Sequence, residues 1–382
     1  MTIDFSRSLA NATDFPPPTI FAAPRLRAGD VTLRRQRAMT APDVLPTASG
    51  RNAVALAARL MERDDGSNRI LMPAYHCPAL IEPFLWRGYE VIFYPVQPDL
   101  SVDLDGLREL ARRSGATHGV VIRFFGFEQN VTQSLQLMQT LGLNVLEDCA
   151  HALFDFLRPI NAAGDGLYYR ICSLNKFLPT DGGGALRPWR EQQAPLSDPG
   201  VLAHAKSLVR MRTLNRPRRG AEAGNGAPGG SKTSGAHDRS DRARPGRAKP
   251  YRYFDPAVTD VQASLATRWL FTHSRHAWIA ARRRQAFEHL AGALEHSPFG
   301  QPLYRQLGGA VPYVLPFLLD EEQYFTRLRM AGLQILRWEE LADAGCAVSA
   351  DYRRRLIQVP CHQGLSDADL AYIVEAFTGS GR

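Results

Sequence analysis

Long apolar runs are missing from this chain of 382 residues. None approaches the roughly 20 residues that a membrane-spanning helix requires, so no segment reads as a span. The opening residues carry an early acid, Asp4, and no apolar core, so no secretory signal is expected there. Cysteine is scarce: Cys77, Cys149, Cys172, Cys346 and Cys361 are scattered without C-x-x-C spacing. An odd, dispersed set predicts reduced thiols in a cytoplasmic protein and argues against a disulfide frame. Cys77 beside His76, and Cys361 beside His362, lack zinc-site spacing and read as packed thiols next to a polar residue.

Charge of one sign is also lacking over most of the chain. The net charge is +8, yet Arg210 to Lys249 holds eleven Lys/Arg and three Asp/Glu, which is +8 by itself. The remainder is balanced, so no domain-wide basic surface for nucleic acid is expected. The basic stretch is rich in Gly, Pro, Ala and Ser and has too few apolar residues to pack a core. It reads as a solvated insertion, residues 210–250, in which contact with polyanions would be nonspecific. Apolar content is 45% and charged content 22%, an ordinary globular balance with length enough for two cores.

What is present centres on Asn144 to Leu186. The apolar Val145-Leu146 stops at Glu147-Asp148, as a buried parallel strand does when its C-terminal edge carries chemistry. A second short apolar piece, Tyr168 to Leu174, is followed by Lys176 and then by Gly182-Gly183-Gly184. A strand-end carboxylate and a strand-end lysine, 28 residues apart, can face each other across adjacent strands. Pyridoxal phosphate needs that pair: an amine to hold its aldehyde, and a carboxylate to keep the pyridine nitrogen protonated. Ser173 offers a hydroxyl to a phosphate. His151 would lie against the cofactor's ring oxygen or against its carboxylate partner. Singly, the aspartate is as good a helix cap and the lysine as good a solvated cation; the order of the set carries the functional reading.

Around this stretch, strands and helices alternate from residue 50 to 186, which predicts an α/β domain with a mainly parallel sheet. Ser49-Gly50 opens a helix with Val54, Leu56, Ala57 and Leu60 on its inner face, and its first N–H groups, near Gly50, Arg51 and Asn52, suit an anion. Ile70–Met72, Pro78–Arg87 and Val91–Tyr94 make a βαβ step. Later segments read as a long helical region from Pro250, strands at VPYVLPFLL, LQILRW and LIQVP, and a capped C-terminal helix.

The segments EDCAHA and SLNKFLPTDGGGAL together resemble the DegT/DnrJ-type sugar aminotransferases, a branch of the fold-type I pyridoxal-phosphate enzymes. The resemblance runs from about Leu45 to the C-terminus apart from the insertion. It implies a large α/β domain with a mainly parallel sheet flanked by helices, plus a smaller α+β C-terminal domain. The expected division is an extended leader over 1–44, a cofactor-binding domain over 45–209, the insertion over 210–250, and a linking helix with the small domain over 251–382.

The resemblance further implies transfer of an amino group from an amino-acid donor such as glutamate to a keto sugar, nucleotide-linked or free, or a related carbonyl acceptor, with pyridoxal 5′-phosphate as cofactor. It also implies a homodimer, with no membrane or nucleic-acid partner. Lys176 stands at the position of the catalytic lysine, Asp148 at that of the pyridine-nitrogen partner, and Gly50-Arg51-Asn52 in the phosphate turn. This chain departs from the pattern in three places: Arg51-Asn52 in that turn, Cys77 where an aromatic ring stacks on the pyridine, and Asp255-Pro256-Ala257 in place of a trans-acting Asn. Tyr75 or His76 would then supply the stacking face, although Tyr75 reads equally as a strand-end aromatic. Two other readings lack their signatures in this sequence. A same-fold enzyme of other chemistry, such as a sugar dehydratase, would carry histidine in place of Lys176, and a cofactor-binding regulator would need a helix-turn-helix unit beside the core.

Overall fold

The computed structural model describes residues 3–9, 15–36, 43–160, 166–189, 194–215 and 251–379. The basic stretch therefore lies outside the described residues from 216 onward, while its first residues continue a helix that ends at Leu214.

Short strands alternate with helices as the periodicity predicts. In chain order they are β1 Leu45–Thr47, α1 Gly50–Met61, β2 Arg69–Pro73, α2 Pro78–Trp86, β3 Glu90–Tyr94, α3 Leu104–Ser114, β4 His118–Ile122, α4 Val131–Thr140, β5 Asn144–Asp148, α5 Leu153–Phe156, β6 Tyr168–Ser173 and β7 Gly184–Pro188. Their sheet has seven strands in the order β1-β7-β6-β5-β4-β2-β3. The pairs from β3 to β6 are parallel; β7 and β1 close one edge antiparallel.

Side-chain parity along these strands separates two cores, because successive residues of a strand face opposite sides of the sheet. Ile70, Met72, Val120, Ile122 and Leu146 pack in one cluster with Val54, Leu56 and Ala57 of α1. Leu71, Val121 and Val145 pack on the other face with Leu107 of α3 and Leu135 of α4. Sheets buried on both faces read as continuous apolar runs, which is why β4 and β5 lack polar alternation.

The same parity splits the two acids that end β5. Glu147 follows Val145 to the α3/α4 side, and Asp148 follows Leu146 to the α1 side. Glu147 is fully buried and accepts from Arg123 Nε, Arg170 Nε and the Tyr168 hydroxyl. Burial opposes its ionisation, but the charges of Arg123 and Arg170 outweigh that and hold its carboxyl below the ordinary range.

The rest of the chain is α6 Val201–Leu214, α7 Leu265–His273, α8 His276–Ala293, β8 Gly300–Pro302, β9 Val314–Leu319, α9 Gln323–Met330, α10 Ala347–Arg355, β10 Leu356–Pro360 and α11 Asp367–Thr378. The three strands form a second, antiparallel sheet in the order β10-β9-β8. Ser366 and Asp369 form a capping box that starts α11, matching the S-D-A-D pattern.

Two expectations change. The long helix from Pro250 starts only at Leu265 and breaks at Ser274; Val261 and Gln262 instead make single bridges to Ser197 and Thr47, so backbone pairing displaces the helix. The strand expected at 333–338 reduces to isolated bridges, Ile20 to Leu333 and Leu336 to Gln358, because its neighbours are the leader and the edge of β10. The leader packs on its own chain: Phe5 bridges Ala342, and Ser8 and Leu9 donate to Glu339. No helix among the described residues is long and apolar enough to cross a membrane.

Glu147→Ala should destabilise the chain by about 3–5 kcal/mol, because it leaves two buried guanidinium groups without their shared carboxylate. Since the folded carboxyl is depressed, its contribution is full above the ordinary carboxylate range and is lost as pH falls through the folded value. Urea unfolding of the variant at neutral pH checks the loss; a change under 1 kcal/mol would contradict it.

Candidate active site

The parallel pairing of β5 with β6 brings the expected pair to one edge. Asp148 stands in register with Ile171, and β6 runs on through Ser173 into a tight turn, Leu174–Lys176. Asp148 is 8% exposed, and one of its oxygens accepts the Ala150 N–H at 2.7 Å. Its other oxygen has the capacity to meet a ligand N–H. Burial raises the Asp148 carboxyl and the Lys176 charge counters that rise. Burial in turn lowers the Lys176 amine, against the pull of Cys77 and Asp148. Each group thus feels the other in a desolvated setting, where charge interactions act with little screening.

Above this pair lies the start of α1. The Ser49 side chain caps the helix by accepting from the Asn52 N–H, and a Cβ at Gly50 would approach Ser173 Cβ to 3.2 Å and Oγ to 3.3 Å. Helix N-terminus and Ser173 hydroxyl therefore share one cradle, and the absent side chain keeps it open. Ser173 Oγ donates to Asn175 Oδ1 at 2.8 Å. The triple glycine supports this edge: Ser49 bridges Gly183, whose φ is +105°, and a Cβ at Gly184 would lie 2.5 Å from the Gly50 nitrogen.

The neighbouring Arg51 and Asn52 look elsewhere. Arg51 Nη1 donates to the Tyr253 carbonyl at 2.6 Å, and Asn52 Nδ2 donates to the carbonyls of Val258 and Thr259. With Glu82, which accepts the N–H groups of Arg252 and Tyr253, they hold the returning segment 252–259 against the helix start. The Asp255-Pro256-Ala257 departure sits in this segment, where Asp255 caps a short turn.

His151 is buried. Its ring lies between Phe125 (5.4 Å, interplanar 18°) and Tyr313 (4.6 Å, 21°), and its Nδ1 accepts the Phe125 N–H at 3.3 Å. Cys77 begins α2 and stands close enough to Lys176 and Asp148 for both charges to act on its thiol. Tyr75 and His76 take other places. Tyr75 is fully buried against Phe124, Tyr352 and Trp338. His76 packs flat on Phe93 at 5.0 Å, its Nδ1 meets the Pro73 carbonyl and its Nε2 accepts the Ala342 N–H, so both nitrogens serve the core.

Three contributors come from the C-terminal half and carry no motif. Tyr313 lies under the Lys176 amine, with Nζ 5.5 Å from its ring centroid. Trp338 is half-buried and adds a wall beside His151 at 5.3 Å and Tyr75 at 4.9 Å. Arg283 donates to the Lys176 carbonyl. Tyr313 and Trp338 fall in segments whose apolar pattern reads only as strand, and Arg283 sits in a run of three arginines that reads as helix surface.

No family model matches the sequence and no curated protein matches it. Solved structures do match the fold. PseC of Helicobacter pylori, an aminotransferase involved in pseudoaminic acid biosynthesis, is 15% identical with a TM-score of 0.62, over 96% of this chain and 98% of that one. The aminotransferase TlmJ of Streptoalloteichus hindustanus is 15% identical with a TM-score of 0.63, over 95% and 98%. NtdA of Bacillus subtilis, solved with bound PMP, is 13% identical with a TM-score of 0.56, over 88% and 72%.

Gly184→Ala should cost about 1–3 kcal/mol, since its methyl meets backbone atoms of Ser49 and Gly50 that cannot swing away. Thermal unfolding checks this, with an unchanged midpoint counting against the close approach. Matched along nearly their whole length, this chain, PseC and TlmJ share one architecture: this is the fold of the fold-type I aminotransferases.

Proposed function

We propose that this chain is a pyridoxal 5′-phosphate-dependent aminotransferase that moves an amino group from an amino-acid donor such as glutamate to a keto sugar. The carrying observation is Asp148 at the end of β5 and Lys176 in the turn that closes its parallel neighbour β6, set beneath a helix start whose Gly50 leaves room beside Ser173. These residues suit the cofactor. The N–H groups at the start of α1 and the Ser173 hydroxyl would take its phosphate, Asp148 its pyridine nitrogen, and Lys176 its aldehyde carbon. Bound there, the cofactor supplies an electron sink for a carbanion at the donor's α-carbon.

The protein's own part is to place groups and move a proton. Burial lowers the Lys176 amine, which favours its neutral form, so Nζ would take a proton from the α-carbon and hand it to the carbon that carried the aldehyde. Asp148, fixed by the Ala150 N–H, keeps its orientation while its charge favours a protonated ring nitrogen. His151, stacked on Phe125 and Tyr313, holds its ring in one orientation next to the tyrosine that lies under the Lys176 amine. Cys77, at the N-cap of α2, would offer a thinner stacking face than the aromatic ring that the resembling pattern carries at that position. The likeness to PseC and TlmJ supports the aminotransferase reading, and pseudoaminic acid biosynthesis supports a sugar acceptor. The same reading includes a cytoplasmic homodimer.

The purified protein should show a visible absorbance band that shifts when glutamate is added. Lys176→Ala should remove the band while unfolding stays cooperative, and borohydride reduction should place the adduct on Lys176. An adduct on Lys206 instead would overturn the assignment. Asp148→Asn should keep the cofactor and lose nearly all turnover; activity within a few-fold of the parent would make Asp148 a structural cap.

A further inference from the structure

Helix α8 carries three consecutive arginines with different fates. Arg282 and Arg284 reach outward to the carbonyls of Leu365, Ala310 and Gly309. Arg283 turns inward and is 0% exposed. Among the described residues no carboxylate forms an ion pair with it; Asp30 acts on it only through space. An inward cation without a salt partner is costly, and its Nε lacks a hydrogen-bond partner as well.

What it meets instead are backbone carbonyls from two separate segments. Nη1 donates to Tyr313 O at 2.9 Å and Pro312 O at 3.3 Å, and Nη2 donates to Lys176 O at 3.1 Å. The guanidinium also covers the Phe177 ring, 4.5 Å from its centroid. One planar fork thus joins the lysine's turn to the loop whose tyrosine ring lies under the lysine's own amine. Gln363 reinforces the turn by donating to Phe177 O at 2.8 Å.

We infer that Arg283 is a positioning residue: it locks the Lys176 turn to the Pro312–Tyr313 loop and so keeps the Lys176 amine pressed over the Tyr313 ring, away from water. The inference rests on the reading of Lys176 as the cofactor lysine. A fork that satisfies three carbonyls at once suits arginine, whose donors lie in one rigid plane. Lysine at 283 keeps the charge but offers a compact ammonium that cannot span both segments in that plane. Without the lock, the turn relaxes and the amine regains solvent. The groups facing that amine stay in place: Asp148 from β5, Cys77 from the start of α2 and Tyr313 from the loop. Arg283 itself faces Tyr313, Cys361, His362 and Asp30.

The test compares the full-length parent with Arg283→Lys and Arg283→Gln, each freed of cofactor with hydroxylamine so that the Lys176 amine is available, and each first checked for cooperative unfolding. Competitive acetylation across pH, read by peptide mass spectrometry, gives the labelling midpoint of Lys176 with Lys206 as an internal reference. In the variants the Lys176 midpoint should rise by about half a unit or more as desolvation is relieved, while Lys206 stays fixed. A Lys176 midpoint unchanged in folded Arg283→Lys would overturn the inference. Should neither variant fold, hydrogen exchange of the parent decides. Phe177, Leu178 and Tyr313 amides opening at a common rate support the lock, and independent opening of Tyr313 overturns it. A parent without a visible cofactor band would defeat the proposed function, while the labelling comparison would still decide the role of Arg283.

Discussion

The parallel register between β5 and β6 is the constraint on which the site depends. Parallel neighbours end at the same edge of a sheet, so residues that close two such strands meet without any long-range search. Asp148 closes β5, and the turn that closes β6 delivers Lys176. An antiparallel pair would have placed them at opposite edges. β7, which returns antiparallel, then carries the glycines back beneath Ser49 and Gly50, so the helix start, the serine and the charged pair all crowd one rim.

Parity decides what each acid does. Two adjacent carboxylates, Glu147 and Asp148, differ by one position and therefore by face. Glu147 is neutralised by two arginines on the α3/α4 side, and this pairing lets a charge sit at zero exposure. Asp148 has no such neutralisation; its counter-charge is Lys176, itself desolvated. One carboxylate is thereby locked into structure and the other left able to respond to a ligand.

The second half of the chain completes the surroundings through its loops. Tyr313, Trp338 and Arg283 reach the site from the approach to β9, from the segment after α9 and from α8. His151 becomes one layer in a stack of rings contributed by both halves. The segment 252–259 is held by the side chains of Arg51, Asn52 and Glu82 acting on its backbone, which engages Arg51 and Asn52, chemically suited to an anion, in that contact.

Local pattern determined much of this protein. The apolar run ended by Glu147-Asp148, the helix opened by Ser49-Gly50, the βαβ step from Ile70 to Tyr94 and the capping box at Ser366 follow from periodicity, turn chemistry and caps, which act over a few residues. Order along the chain was enough to pair Asp148 with Lys176, because consecutive βα units in one sheet leave few topologies open. Only the tertiary structure decided the rest. Tyr75 and His76 are two and three residues past the end of β2, yet the core claims both rings, through Trp338 and Ala342 respectively. Tyr313 and Arg283 lie more than 100 residues beyond Lys176 and belong to elements that read as ordinary strand and helix. Their contacts arise from packing between distant segments, and packing leaves no mark in short-range spacing.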